Sequence, residues 1–493
     1  MAERVLVIGA GMAGLWTALA LAPTGRAVTL LERDPPPPDG GAEAAFTDWS
    51  RRGVGHLRHS HAFLARLRLI IRDEHPQLLA DLMAAGCRDL AFEDGLTAIH
   101  RRDYVPAPVD QDLAILTSRR TTLELVMRRY VERQPKVTIR SGVFVRELAI
   151  TPGDIPTVNG VVVEDDGGRH TLAADVVVDA GGRTSDCIEQ LGAAGAMVRE
   201  ERQACGILYF TRHYRLNLGV DEPPRTAAPL TGDLEYLKFG VFPADNGCFS
   251  ITLCVPEIEA ELRTRVVDPA VFDAICGQLP GLAPWIDPAT AQPISRVFGM
   301  GDLTSRWRTM ETGSRPAALG FFAVGDSLVM SNPLYGRGCS FAAVGAHLLR
   351  DALEASPEPA ARVLLYQAAT DRELRPYYDV MCEADRDATE RARAVMTPGS
   401  QPGLKSQLKK RFMEDAVAVA IRSDVDLLRA ALRGFHMLED PQAWLRRPAN
   451  LAKVLGYWAR GRQRNAAAYR AGGEPERGEM LKAIGVAAYT NRP

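Results

Sequence analysis

The chain has 493 residues, with 59 Lys+Arg against 61 Asp+Glu, a formal net charge of −2, and 46% apolar against 24% charged residues. That is the composition of a soluble globular protein long enough for about three domains. It argues against a nucleic-acid partner, which calls for a concentrated basic surface. Eight cysteines show neither CxxC pairs nor Cys/His metal spacing, so reduced thiols, no metal and a cytoplasmic location are expected. No apolar run reaches the roughly 20 residues of a membrane span, so no integral membrane segment is expected.

Residues 5–8 are a β-branched apolar run of the kind found in buried parallel strands. Gly9-Ala10-Gly11-Met12-Ala13-Gly14 follows, then a helical stretch over 15–21. A second strand over 27–31 ends at Glu32, with Arg33 next to it. This is a β-α-β unit with GxGxxG at its turn and an acid 18 residues after the last glycine. Gly9 permits the tight turn, Gly11 admits a pyrophosphate to the backbone, and Gly14 lets helix and strand pack closely. The helix N-terminus attracts phosphate, and Glu32 suits a ribose diol. The motif predicts dinucleotide binding without separating FAD from NAD.

Residues 33–47, rich in Pro and Gly, read as a surface loop. A histidine run follows, with His59 and His61 two apart on a stretch read as extended, where both side chains point the same way. Residues 64–85 read as one helix ending at Gly86. Ser118-Arg119-Arg120-Thr121-Thr122-Leu123-Glu124 opens a helix running to about residue 132; an arginine there opposes the helix dipole and suits an anionic partner. Strands are expected over 143–148 and 158–163, and a hairpin turn at 165–168 leads into the strand before Asp179.

Residues 203–300 read as separated aromatic-rich strands (205–215, 235–243, 248–255, 294–300) around a helical 257–278. Tyr209, Phe210, Phe239, Phe242 and Phe249 are candidate pocket walls, with ordinary core packing as the alternative. Residues 321–327 form an apolar strand ending in Gly325-Asp326. Asn332-Pro333-Leu334-Tyr335-Gly336-Arg337-Gly338-Cys339-Ser340 then leads into a small-residue helix over 341–353. From about 355 the chain reads as helical. Its amphipathic 404–425 stretch, with Lys405, Lys409, Lys410 and Arg411, is a candidate for membrane-surface contact, or else for a cap or homodimer element.

These motifs together resemble the class A flavoprotein monooxygenase superfamily, with its para-hydroxybenzoate hydroxylase-like fold. The run Gly53-Val54-Gly55-His56-Leu57-Arg58-His59-Ser60-His61-Ala62-Phe63-Leu64 resembles its epoxidase-like, styrene monooxygenase-like branch. The resemblance implies an α/β fold: a discontinuous, Rossmann-like (GR2-type) FAD-binding domain, an inserted, mostly antiparallel β-sheet substrate domain and a helical C-terminal region. Residues 1–75, 111–195 and 301–360 would be the three pieces of the FAD domain, 76–110 a substrate-side segment, 196–300 the sheet domain and 361–493 the helical region. It implies FAD held by Gly9, Gly11, Met12, Ala13, Gly14, Glu32, Arg33, Arg120 (with Arg119 as alternative), Gly182, Asp326, Pro333, Gly336, Gly338 and Cys339. His59, His61 and Tyr335 are the candidates beside the reacting centre, the histidines alternatively being structural.

The implied activity is transfer of one oxygen atom from O2 to a small apolar or aromatic substrate, by hydroxylation or epoxidation, through a flavin C4a-hydroperoxide. Electrons would come from NAD(P)H, directly or through a partner flavin reductase. One departure favours the reductase: the family's middle motif reads D-G-x-x-S, and here Gly181 replaces the aspartate before Gly182 and Ser185. The rival activities are reduction or dehydrogenation of an isoprenoid-like substrate, and halogenation. The W-x-W-x-I-P motif of tryptophan halogenases is absent, and no lysine precedes Lys136.

Overall fold

The computed structural model describes residues 2–224, 228–397, 403–469 and 473–486. Five strands form a parallel sheet in the order Phe321–Ala323, Val176–Asp179, Arg4–Ile8, Ala27–Glu32, Val137–Ser141. Both faces are covered, and Val5, Val7, Val177, Val178, Leu30 and Phe321 are buried. Helix Met12–Leu21 packs across helix Gly338–Ala355. The antiparallel meander Phe144–Thr151, Thr157–Asp165, Gly168–Ala173 packs against the strand Val176–Asp179. Ile8, Glu32, Asp179 and Ala323 end four adjacent strands at one edge, the edge where doubly wound sheets bind ligands.

A second sheet holds Thr231–Asp233, Lys238–Pro243, Cys248–Pro256, Ile207–Leu216 and Ala291–Pro293, with Phe298–Met300 also paired to the fourth of these. Alternation along Ile207–Leu216 and Cys248–Pro256 divides its faces. Phe210, Tyr214, Phe249, Ile251 and Leu253 face a separate core with Phe272, Ile275 and Trp285. Tyr209, Thr211 and His213, with Ser250 and Thr252, face the FAD-type domain. The expected mix of a parallel sheet, an antiparallel sheet and C-terminal helices is present.

Several elements differ from expectation. The segment 33–47 is not all loop: Ala42–Thr47 is helical, because Ala45 buries against Leu125 of helix Arg120–Glu132 and Phe46 against His213 of the second sheet. The single helix expected over 64–85 is two, Ala65–Glu74 and Pro76–Ala84. Pro76 has no N–H to donate and forces His75 out of the helical region, at φ −136° and ψ 55°. The helical 257–278 divides into Leu262–Arg265 and Pro269–Gly277, with the Asp268 side chain accepting from the N–H groups of Ala270 and Val271. Phe210, Phe239 and Phe249 belong to the sheet domain's own core rather than to a pocket wall. In the C-terminal region Lys409 bonds Glu383 and Asp387 at 2.7 and 2.6 Å, and Lys410 bonds Glu235 at 2.7 Å. Two of the lysines read as membrane-facing therefore neutralise the protein's own carboxylates; the Lys405 side chain lies outside the described residues. Among the described residues, no helix is long and apolar enough to cross a membrane.

Buried histidines tie these layers together. Burial holds His59, His75, His213 and His436 at pKa values of about 4, against about 6.5 for a free imidazole. The unfolded chain therefore takes up protons between pH 6.5 and 4 that the folded chain refuses, so stability is complete above pH 6.5 and is lost as pH falls through that window. Melting followed by circular dichroism should give a plateau in Tm above about pH 6.5 and a steady fall toward about pH 4.5. A flat Tm across that window would contradict it.

Candidate functional site

The turn after the first strand is shaped by close contacts. Gly9 has φ +95°, and a Cβ there would lie 2.7 Å from the Ala180 carbonyl oxygen; a Cβ on Gly14 would lie 2.0 Å from the Gly9 carbonyl oxygen. Gly11 differs: its nearest neighbour would be the Arg51 guanidinium at 3.9 Å, so its backbone stays open to a ligand. No side chain caps the helix that begins at Met12, leaving its first N–H groups for an anion. Ala13 sits under the third motif, where a Cβ on Gly325 would meet the Ala13 Cβ at 2.7 Å.

Around this turn lies a chain of buried charges. Glu32 accepts from the Ala10 N–H at 2.9 Å, the Asp34 N–H at 2.9 Å and Arg51 at 3.0 Å. Arg51 also pairs with Glu124 and, at 3.5 Å, with Asp34. The second oxygen of Glu124 takes Arg120 Nε at 3.0 Å, and Arg120 Nη1 reaches the Cys339 thiol at 3.3 Å and His61 Nε2 at 3.5 Å. Arg119 and Arg120 have separate tasks. Arg119 is pinned to Asp245 of the sheet domain, by Nη2 at 2.7 Å and by its backbone N–H at 2.6 Å, and to Glu43 at 2.6 Å. Arg120 alone of the two stands in the cleft. Arg33 is exposed, beside Gly53, and the inward-facing arginine of this region is Arg51.

The middle motif closes on another buried acid. Asp179 accepts from the Gly181 N–H at 2.9 Å, Ser185 Oγ at 2.7 Å and Ser327 Oγ at 3.0 Å, and the Gly182 N–H donates to Ser327 at 3.0 Å. Burial raises the Asp179 pKa, opposed by these donors. Asp326 is partly buried. Burial raises its pKa, opposed by the nearby charge of Arg120, and its carboxylate has no hydrogen bond to another described residue. Past it, Pro333 is exposed, Gly336 has φ +64° above the Ala62 carbonyl, and Gly338 starts an 18-residue helix with no side-chain cap.

The histidines diverge, because a turn over residues 55–58 and a bend at 59 replace the extended strand. His59 Nδ1 bonds the Thr211 hydroxyl at 2.9 Å and so ties the loop to the second sheet. His61 donates from Nδ1 to the His59 carbonyl at 2.9 Å, stacks on Phe63 and turns Nε2 to Arg120. Burial and the Arg120 charge push His61 well below its usual pKa and His56 down to about 3, so both are neutral. Tyr335 points away from them: its hydroxyl donates to Asp385 at 2.9 Å.

The residues of this cleft missed in the sequence are Arg51, Glu124 and Asp179 as an anchor. Only Glu124, in the stretch Arg-x-x-Leu-Glu, carries a local signal; the others are defined by partners far along the chain.

The family model described as FAD dependent oxidoreductase matches residues 4–125. No curated protein matches the chain. Among solved structures, the flavin-dependent halogenase CmlS aligns with 17% identity over 94% of this chain and 78% of its own, TM-score 0.60. The myxobacterial chondrochloren halogenase CndH aligns with 17% identity over 90% and 97%, TM-score 0.58. The p-nitrophenol 4-monooxygenase PnpA of Pseudomonas putida DLL-E4 aligns with 19% identity over 89% and 98%, TM-score 0.55. At such identities the likeness is one of fold: this chain has the architecture of FAD-dependent monooxygenases and halogenases.

The turn sterics separate two glycines. Gly14→Ala should lower folding stability by about 1–3 kcal/mol, since backbone must move to admit the methyl group, whereas Gly11→Ala should stay within about 0.5 kcal/mol of wild type. Urea unfolding of both variants checks this; equal losses would contradict the geometry.

Proposed function

We propose that the chain is an FAD-dependent monooxygenase that transfers one oxygen atom of O2 to a small apolar or aromatic molecule, with its flavin reduced by a separate reductase. The observation that carries the reading is the convergence of three distant segments on one cleft: the open Gly11 backbone, the unpartnered Asp326 carboxylate beside Arg120, and the uncapped helix at Gly338. These residues fit FAD. The Gly9–Gly14 turn and Arg51 would take the pyrophosphate, Glu32 the adenosine ribose, and Asp326 a hydroxyl of the ribityl chain. The helix N-terminus at Gly338 would stabilise negative charge on the ring system. Bound FAD supplies the redox chemistry and the activation of O2. The chain's own part is to position and to exclude water: the inserted sheet closes over the cleft through His59, Ser60 and Tyr209, all hydrogen-bonded across the domain boundary.

The use of Asp179 supports an external reductant. This acid is spent on bracing the loop and the Ser327 turn, and Gly181 leaves no second carboxylate for a nicotinamide. Halogenation is the second reading, favoured by the fold of CmlS and CndH. Lys238 lines a cleft beside the 332–334 turn, but its ammonium is paired with Asp233.

Two outcomes are expected. Arg120→Met should weaken FAD binding at least about tenfold by flavin-fluorescence titration and lower Tm as well, since buried Glu124 keeps only Arg51, while Arg119→Met should cost about 3–5 kcal/mol of stability by stranding buried Asp245. Anaerobic NADH or NADPH alone should leave the 450-nm flavin band in place, and adding a flavin reductase should bleach it; air should then restore the band with substrate oxygenated in the absence of halide. Bleaching by NAD(P)H alone would overturn the reductase reading, and a need for chloride or bromide would favour halogenation.

A further inference from the structure

The C-terminal region presents a surface that the flavin site does not use. Helix Pro448–Arg464 packs on the segments Phe412–Ala418 and Val419–Ser423, and of its own residues only Val454 is buried. Leu451, Leu455 and Trp458 fall within about 60° of one another around the helix. They are 37%, 43% and 46% exposed, whereas the other five tryptophans of the chain are buried. The Trp458 ring meets Phe412 edge-on, with centroids 5.7 Å apart. Phe412 in turn continues a second stripe, through Leu408 and Leu404, one and two turns before it and both exposed. The two stripes form one apolar ridge, and contiguous exposed apolar surface of this kind marks an interaction site.

The charge around the ridge has one sign. No Asp or Glu occurs between Asp440 and Glu474, whereas six Arg and Lys occur over residues 446–464. Three of them are spent within the protein: Arg447 on Glu439 at 2.6 Å, Lys453 on Asp424 at 2.9 Å and Arg462 on Asp415 at 3.3 Å. On the neighbouring segment, exposed Glu414 lies 3.9 Å from Lys410. Arg460 and Arg464, with Arg411 next to Phe412, are exposed and have no carboxylate partner among the described residues. Arg460 merely covers the Tyr457 ring at 4.5 Å. An apolar crest edged by unpaired arginines is complementary to a surface that is apolar inside and negative outside. An anionic bilayer is such a surface: acyl chains take the leucines and headgroups the arginines, and tryptophan settles at the level between them. A second copy of the chain fits worse, because a two-fold interface would set the same arginines against each other.

We propose that this ridge docks the protein on the surface of an anionic lipid bilayer, with helix Pro448–Arg464 lying in the plane of the headgroups. The helix rests on the bilayer and does not span it. The inference stands apart from the oxygenation reading, since it uses none of the residues around the flavin cleft.

The test uses the full, FAD-loaded chain and two kinds of vesicle, phosphatidylcholine alone and phosphatidylcholine with about one-third phosphatidylserine. Trp458, as the exposed tryptophan, is the reporter: the mixed vesicles should shift its emission to the blue and shield it from iodide. Titration should give at least about tenfold tighter binding to the mixed vesicles than to phosphatidylcholine alone. Raising NaCl from about 0.1 M to about 0.5 M should weaken that binding severalfold. The double variant Leu451→Ser/Leu455→Ser should lose at least about tenfold in affinity, and Arg460→Gln/Arg464→Gln at least about fivefold. Both should keep FAD content and Tm, because all four side chains are exposed. Equal binding to the two kinds of vesicle, or undiminished binding in either double variant, would overturn the inference. Failure to bind the mixed vesicles would overturn it too and leave an acidic protein as the partner to seek. A concentration-dependent dimer in light scattering that Leu451→Ser/Leu455→Ser abolishes would assign the ridge to a second copy and likewise overturn it. Should the leucine variant fail to fold, the arginine variant and the phosphatidylserine dependence decide.

Discussion

The cleft depends on one carboxylate shared by two arginines. Glu124 is fully buried, Arg51 takes one of its oxygens and Arg120 the other, and Arg51 reaches on to Glu32 and Asp34. Burying five charged groups costs several kcal/mol per ion, offset only where each finds its counter-charge at close range. The pairs therefore work as a register device. The loop carrying Arg51, the strand ending at Glu32 and the helix opening at Arg120 are far apart in sequence, and these charges are satisfied only when the three meet. They meet beside the Gly9–Gly14 turn, so the same contacts that fold the domain place Arg51 next to the open Gly11 backbone.

The inserted sheet solves a second problem, how to cover that cleft without filling it. Strand alternation lets one sheet serve two environments. Its far face is large and apolar and owns a separate core, while its near face is built from Thr211, Thr252, Ser250 and His213. Hydroxyls at 2.7 Å from Ser60 and from each other seal the boundary through directional bonds rather than bulk. A hydrophobic near face would have collapsed onto the loop; a charged one would have drawn in water. Asp245, at the edge of the same domain, holds Arg119 and accepts from Thr122, so the roof is also fastened to the start of the Arg120 helix.

Features set by short-range sterics were legible in the sequence. The glycines of the first turn, the Gly325-Asp326 strand end and the P-x-x-G-x-G turn each express a local backbone requirement, so reading them recovered the parallel sheet. Features set by distant partners were not. Nothing near residue 51 distinguishes Arg51 from exposed Arg52, because its meaning comes from Glu32 and from Glu124, 73 residues on. Arg119 and Arg120 looked equivalent until Asp245, 126 residues away, claimed the first. The histidine pair misled for a local reason: the extended geometry that would align their side chains is broken by the turn over 55–58 and the bend at 59. The break at Pro76 was written in the chain, since proline forbids the preceding residue its helical conformation, but apolar periodicity carried across it concealed the stop.

The aspartate missing from position 181 acquires a physical sense. A carboxylate there would stand in the same turn as Asp179, whose oxygens already collect the Gly181 N–H, Ser185 and Ser327. Two acids so close in a buried turn repel, and one would have to be protonated or turned outward. With glycine at 181 the single acid stays inside, and it joins the middle motif to the Asp326 turn through Ser327. A comparable economy governs the far side of the cleft. Asn332, fully buried, accepts from the Leu334 N–H and from Tyr209 of the roof while donating to Asp385 of the long helix. One amide therefore couples the roof, the turn that precedes the Gly338 helix and the C-terminal region. Through that amide the long helix is fastened to both the roof and the turn, so the helical region braces the far side of the cleft rather than standing apart from it.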